Sequence, residues 1–227
     1  MTPLQGSPIS VSVEHGSDKP VPPIPLMTIS DNHEALKVIQ KEDRLRLNIG
    51  CDRSEIAGYV GDDFNPDVDP DILAEADDLH MIEDNSVDEI YASHVLEHLP
   101  YGNTALQEWL RVLKPGGMLT VIVPDLMGIY MMSQHHGLWG AYNQPIDEVY
   151  VNACVFGASL LSELIPEMKD LYNGPGHVHR QIFIEGMLLK RVVEAGYVDA
   201  RESPDTMLGP VGMGNRVVIA LKPTEGA

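Results

Sequence analysis

Between Leu45 and Asp125, short apolar segments end one after another in glycine, acid or histidine. Leu45–Ile49 is followed by Gly50, Tyr59–Phe64 carries Asp62 and Asp63, and Asp71–Ala76 runs into Asp77-Asp78. Val87–Ser93 is followed by His94, and Met118–Val123 by Pro124-Asp125. Alternating or continuous apolar runs of this length predict strands. In an open parallel sheet the carboxyl ends of the strands form the ligand crevice, so polar residues gathered at those ends predict a nucleotide-like cofactor there.

The remaining elements follow from periodicity. Leu106, Trp109, Leu110 and Leu113 fall at helical spacing and predict a helix over Thr104–Leu113, closed by Pro115-Gly116-Gly117. Helices are also expected from Ser30 or Asp31 to Ile39, from about Ile146 to Leu164, and over Ile184–Ala195, the last stopped by Gly196. Tyr197–Glu202 and Val217–Leu221 read as two final strands joined without a helix. A short connection returns the chain antiparallel, whereas parallel neighbours need a crossover. The fold class is therefore α/β: a Rossmann-like, seven-stranded, mostly parallel sheet with helices on both faces and an antiparallel last strand.

The chain has 227 residues, 44% of them hydrophobic, enough for one domain with a substantial core. Residues 1–30, rich in Pro, Ser and Gly, read as an extended arm, and 31–227 as the domain, with an insertion at about 126–180. A net charge of −19 repels phosphate backbones and anionic membranes, so neither nucleic acid nor membrane is an expected partner. No apolar run is long enough for a transmembrane helix, and the first residues lack the pattern of a secretory signal. Two cysteines, Cys51 and Cys154, suit a reducing compartment, and a cytoplasmic location is expected. The oligomeric state stays open, a homo-oligomer included.

Five pieces carry a specific resemblance: LRLNIGCD, GYVGDDFNP, DILAEADDL, EDNSVDEIYASHVLEHL and EWLRVLKPGGMLTVIVPDL. Together they resemble the class I S-adenosylmethionine-dependent methyltransferases, of the small bacterial type with a short first crossover. The likeness is close over roughly 44–125 and resumes weakly after His179-Arg180. It implies S-adenosyl-L-methionine as cofactor. Asn48, Gly50, Cys51 and Asp52 would form the turn at its methionine end, where a bare main chain lets N–H groups approach. The family usually has a second glycine where this chain has Asp52. Asp63, followed by Phe64, would hold the ribose hydroxyls; it stands 13 positions after Gly50, against roughly 20 in dinucleotide-binding units, and G-x-G-x-x-G is missing. Glu75 or Asp77, with Ala76 and Leu79, would meet the adenine, although Leu79 and Ile82 read equally as core. Ser93 and His94 would pass beneath the sulfonium. Asp88 reads as a structural acceptor and Lys114-Pro115-Gly116-Gly117 as a turn without chemistry.

The activity this implies is methyl transfer to a small-molecule acceptor, such as a sugar hydroxyl or a biosynthetic intermediate. The insertion would cap the acceptor, with Tyr130, Met131, Met132, Trp139 and Tyr142 as pocket or core residues and Asp125 at its edge. A hydroxyl acceptor must lose a proton, which a histidine can take. His94, His177 and His179 are the candidate bases. His94 and His98 lie four apart, but no H-E-x-x-H pattern accompanies them and no metal is expected. A non-catalytic relative, suggested by Asp52, and a nucleic-acid methyltransferase are the competing readings.

Overall fold

The computed structural model describes residues 44–100, 103–129, 138–139, 144–145, 178–205 and 215–224. Seven strands form one sheet in the order β3-β2-β1-β4-β5-β9-β8. They are β1 (Arg46–Ile49), β2 (Val60–Asp63), β3 (Ile72–Leu73), β4 (Val87–Ser93), β5 (Leu113–Pro124), β8 (Val198–Asp205) and β9 (Asn215–Leu221). The pairs β1–β2, β1–β4, β2–β3 and β4–β5 are parallel, while β9 runs antiparallel to both β5 and β8. A two-stranded piece, β6 (Leu138–Trp139) with β7 (Gln144–Pro145), stands apart. The mostly parallel sheet with an antiparallel last strand is as the sequence predicts.

The central strands are apolar on both faces, which is what a parallel sheet covered on both sides demands. Leu47, Ile49, Ile90, Ala92, Leu119, Val121 and Val123 are all fully buried in one core. Register matters more to the site than length does. Ile49 pairs with Asp62 on one side and Ala92 on the other, and Ser93 pairs with Ile122. The residues that follow these partners, Gly50, Asp63 and His94, therefore emerge along one rim.

Helix α1 (Thr104–Val112) buries Ala105, Leu106, Trp109 and Val112, the stripe expected from spacing. Trp109 Nε1 donates to the Ala76 carbonyl at 2.7 Å, tying the helix to the loop after β3. Arg111 grips the same loop through the Leu79 and Ile82 carbonyls, both at 2.9 Å. The Lys114-Pro115-Gly116-Gly117 turn differs from expectation. It is absorbed into the start of β5, whose pairing jumps from Val87–Leu113 to Glu89–Met118. Gly116 turns the chain there at φ +78°. Asp88 is the structural acceptor expected: it takes the Leu45 N–H at 2.8 Å and pairs with Lys114 at 2.7 Å.

Helix α2 (Met187–Glu194) is shorter than the expected Ile184–Ala195 because Gly186, at φ +79°, starts it. β8 runs beyond the expected Glu202 to Asp205. The N-terminal arm, the helix expected to end at Ile39, the helix expected over Ile146–Leu164, His177, Cys154 and the side chains of Tyr130, Met131, Met132, Trp139 and Tyr142 lie outside the described residues. Among the described residues, no helix is long and apolar enough to cross a membrane.

Candidate functional site

The rim begins at the turn after β1. Gly50 has φ +65°, and a Cβ there would stand 2.3 Å from Val95 Cγ2. Glycine is required twice, by the backbone conformation and by the loop after β4 pressing on it. Two residues on, Asp52 is also left-handed, with φ +46°. That explains the family's preference for glycine at this position, and why aspartate, which tolerates the region better than most residues, can replace it. The Asp52 side chain is exposed, and its N–H donates to Asp63 Oδ2 at 2.9 Å.

Asp63 is fixed from both sides, because Oδ1 accepts the Asn65 N–H at 2.9 Å. An ionised carboxylate has about four lone-pair positions, so two remain for a ligand. Its neighbour Asp62 is completely buried, and neither oxygen has a hydrogen-bond partner among the described residues. Burial first, then the charges of Asp63 and Glu75, pushes its carboxyl well above the usual range.

Three of the expected cofactor contacts are buried side chains. Asn48 is buried and donates from Nδ2 to the Ser54 carbonyl at 3.1 Å, so it braces the turn. Leu79 is core, its side chain fully buried, its N–H on Glu108 and its carbonyl on Arg111. Cys51 is buried, and desolvation followed by nearby Asp63 pushes its thiol up to about 12, leaving it inert. Ala76, half-buried, accepts from Trp109 Nε1 at its carbonyl. By contrast Phe64 is 44% exposed at the rim. Glu75 is exposed and Asp77 half-buried on the loop after β3, and the choice between them stays open.

The other end of the rim is built on β4. Ser93 Oγ is buried without a hydrogen-bond partner among the described residues. His94 adopts φ +58°, an unusual conformation for histidine, held by its N–H on the Ile122 carbonyl at 2.9 Å. The turn Leu96–His98 follows, and Glu97 on it is fully buried. His94 Nδ1 lies 3.2 Å from Glu97 Oε1, and His94 Nε2 is buried with no hydrogen-bond partner among the described residues. Burial alone would raise the Glu97 carboxyl, but His94, His98 and His179 outweigh it and hold the group below its ordinary value.

The segment after residue 177 closes over this turn. The Arg180 and Gln181 N–H groups both donate to the Glu97 carbonyl, at 2.8 and 3.1 Å. Gln181 Nε2 donates to the Leu96 and Leu99 carbonyls. This clamp sets the His179 ring 4.7 Å from that of His98. Sequence reasoning gave Glu97 no role; the signal was its place between two histidines. Beside the cluster is a shallow recess lined by Pro124, Leu126, Ile129, His179, Gln181 and Phe183 among others. Asp125, expected at the acceptor's edge, is instead spent on structure. It pairs with Arg216 at 2.9 Å and caps the turn at Met127.

Residues 47–121 match the sequence model of a methyltransferase domain. No curated protein matches the chain. A solved S-adenosylmethionine-dependent methyltransferase from Methanosarcina mazei superposes with TM-score 0.51 at 20% identity, over 84% of this chain and 97% of that one. Another from Archaeoglobus fulgidus gives 0.49 at 15% identity, over 86% and 93%. At that identity the first likeness speaks for the fold alone. The sheet order with its polar rim is that of a Rossmann-like α/β domain. Within it, residues 47–121 are similar to a methyltransferase domain.

Proposed function

We propose that this enzyme methylates a small-molecule acceptor at an oxygen, with Glu97 and His94 handling the proton. The observation that carries this reading is the orphaned Nε2 of His94, buried at the rim while Nδ1 faces the Glu97 carboxylate at 3.2 Å. A carboxylate behind one ring nitrogen orients the imidazole and stabilises the imidazolium that forms when the other nitrogen takes a proton. The net charge of −19 repels phosphate backbones, which supports a small acceptor over a nucleic acid.

The rim fits the cofactor. The anchored Asp63 carboxylate suits the ribose hydroxyls, Gly50 opens main chain to the methionine end, and Glu75 or Asp77 suits the adenine amino group. Phe64, exposed beside Asp63, can cover the sugar. When bound, S-adenosylmethionine supplies an electrophilic methyl group. The chain's own work is to hold the acceptor in line and accept the hydroxyl proton at His94 Nε2. His179, at the edge of the recess, is the alternative acceptor of that proton, and His177 lies outside the described residues.

Incubation with methyl-labelled cofactor and a metabolite extract, followed by identification of the labelled product, tests the acceptor. Calorimetry with S-adenosylhomocysteine tests the non-catalytic alternative: no heat and no thermal shift at millimolar ligand would favour it. Labelling of RNA or DNA alone would overturn the small-molecule reading.

A further inference from the structure

Glu97, His98 and His179 present one ligand atom each, all within 4.8 Å of one another. Two features make this more than crowding. His98 Nδ1 lies 3.2 Å from the Val178 carbonyl, an acceptor only, so Nδ1 carries the proton. In a neutral ring, the lone pair is then on Nε2, which faces Glu97 Oε1 at 3.9 Å. Two electron-rich atoms pointed at one another need something positive between them. Second, Glu97 is fully buried, and apart from the His94 ring 3.2 Å from Oε1 its carboxylate oxygens have no aligned hydrogen-bond partner among the described residues. A buried carboxylate left in that state costs several kcal/mol unless a cation compensates it.

A metal ion would supply that charge. The surroundings favour the ion. A ring nitrogen donated to a backbone carbonyl is the usual second-shell arrangement of a metal-bound histidine. Two imidazoles and one carboxylate are a donor set for Zn²⁺ and its first-row neighbours, and three protein ligands leave a position open. His179 also lines the recess, so that open position faces where an acceptor would sit.

We propose that Glu97, His98 and His179 form a three-ligand site for a borderline divalent cation such as Zn²⁺, open toward the acceptor recess. The ion would bind the acceptor oxygen and lower its pKa, which restricts acceptors to those offering a hydroxyl, or two adjacent oxygens, to a metal. That role rests on the methyl-transfer reading above, whereas the site itself does not.

The test is therefore metal binding without donor or acceptor. Chelator-treated full-length protein is titrated with Zn²⁺ by calorimetry and with Co²⁺ by visible absorption. One equivalent should bind, with the intense bands of a low-symmetry Co²⁺ site. Glu97→Gln and His179→Ala should each weaken binding about 10–100-fold. His80→Ala, at an exposed histidine paired with Asp78, should change nothing. Should Glu97→Gln fail to fold, as judged by its thermal melt, the half-exposed His179→Ala decides alone. No binding at millimolar metal, or equal affinity in the folded variants, overturns the site. Zn²⁺ binding without S-adenosylhomocysteine binding would sink the methyl-transfer reading and keep the site.

Discussion

Two buried carboxylates sit at the two ends of this rim, and their surroundings drive them in opposite directions. Asp62, at the end of β2, has Asp63 and Glu75 as its charged neighbours, and burial first, then repulsion, raises its carboxyl well above the usual range. Glu97, after β4, is equally buried, but three imidazoles surround it and keep it ionised. The same functional group is a stability cost at one end and a working charge at the other. Burial alone does not mark a functional acid; the sign of what faces it does. The donor end is also rigid through the main chain, with Gly50, Asp52 and Asp63 locked together. The acceptor end is assembled by side chains from distant segments.

The comparison yields five tests, from the largest effect to the smallest. His94→Ala should lower kcat by about 10²–10⁴-fold, the range of general base catalysis. Its S-adenosylhomocysteine affinity should stay within about threefold, because the donor is held at the other end. Equal losses in both, measured by initial rates and calorimetry, would make His94 structural and erase the distinction between the ends.

Gly50→Ala should cost roughly 3 kcal/mol in denaturant unfolding, from left-handed strain and overlap with Val95. Wild-type stability would mean the two loops are not wedged together. Asp63→Ala should weaken S-adenosylhomocysteine by about 1–3 kcal/mol, through lost charged hydrogen bonds. Unchanged affinity would move the ribose elsewhere.

Asp62→Val should stabilise the fold by about 1 kcal/mol near neutral pH, since it replaces an unsatisfied polar group with an apolar one. The sign with pH follows from the raised folded-state pKa. The folded protein keeps its proton where the unfolded chain has released it, so wild-type stability falls as pH rises from the unfolded value toward the folded one. The variant should lose that dependence. Parallel melting curves against pH for both proteins would refute the protonated Asp62. Finally, Asp52→Gly should leave donor affinity within about twofold and stability within about 0.5 kcal/mol, because strain relief and chain entropy nearly cancel. A large gain in affinity would mean the exposed carboxylate repels the donor's own carboxylate.

Much of this molecule was readable from its residues. The strands from β1 to β5 follow from local apolar runs, and the short link between the last two forces β9 antiparallel. The glycine turn, Asp63 and the histidine after β4 could be found because each sits where a strand ends. Asn48, Cys51 and Leu79 could not be separated from true rim residues in this way. Adjacency in sequence does not say whether a side chain is turned into the core or out of it.

The sequence by itself determined the order of elements and the polar rim, because hydrophobic period, turn chemistry and connection length are local properties. Only the tertiary structure decided which rim carboxylate is ionised. Charge states depend on what packs within a few ångströms, and the residues that pack on Glu97 come from both ends of a long chain interval. The Arg180 and Gln181 hydrogen bonds to the Glu97 carbonyl bring His179 to His98. No spacing rule contains that meeting.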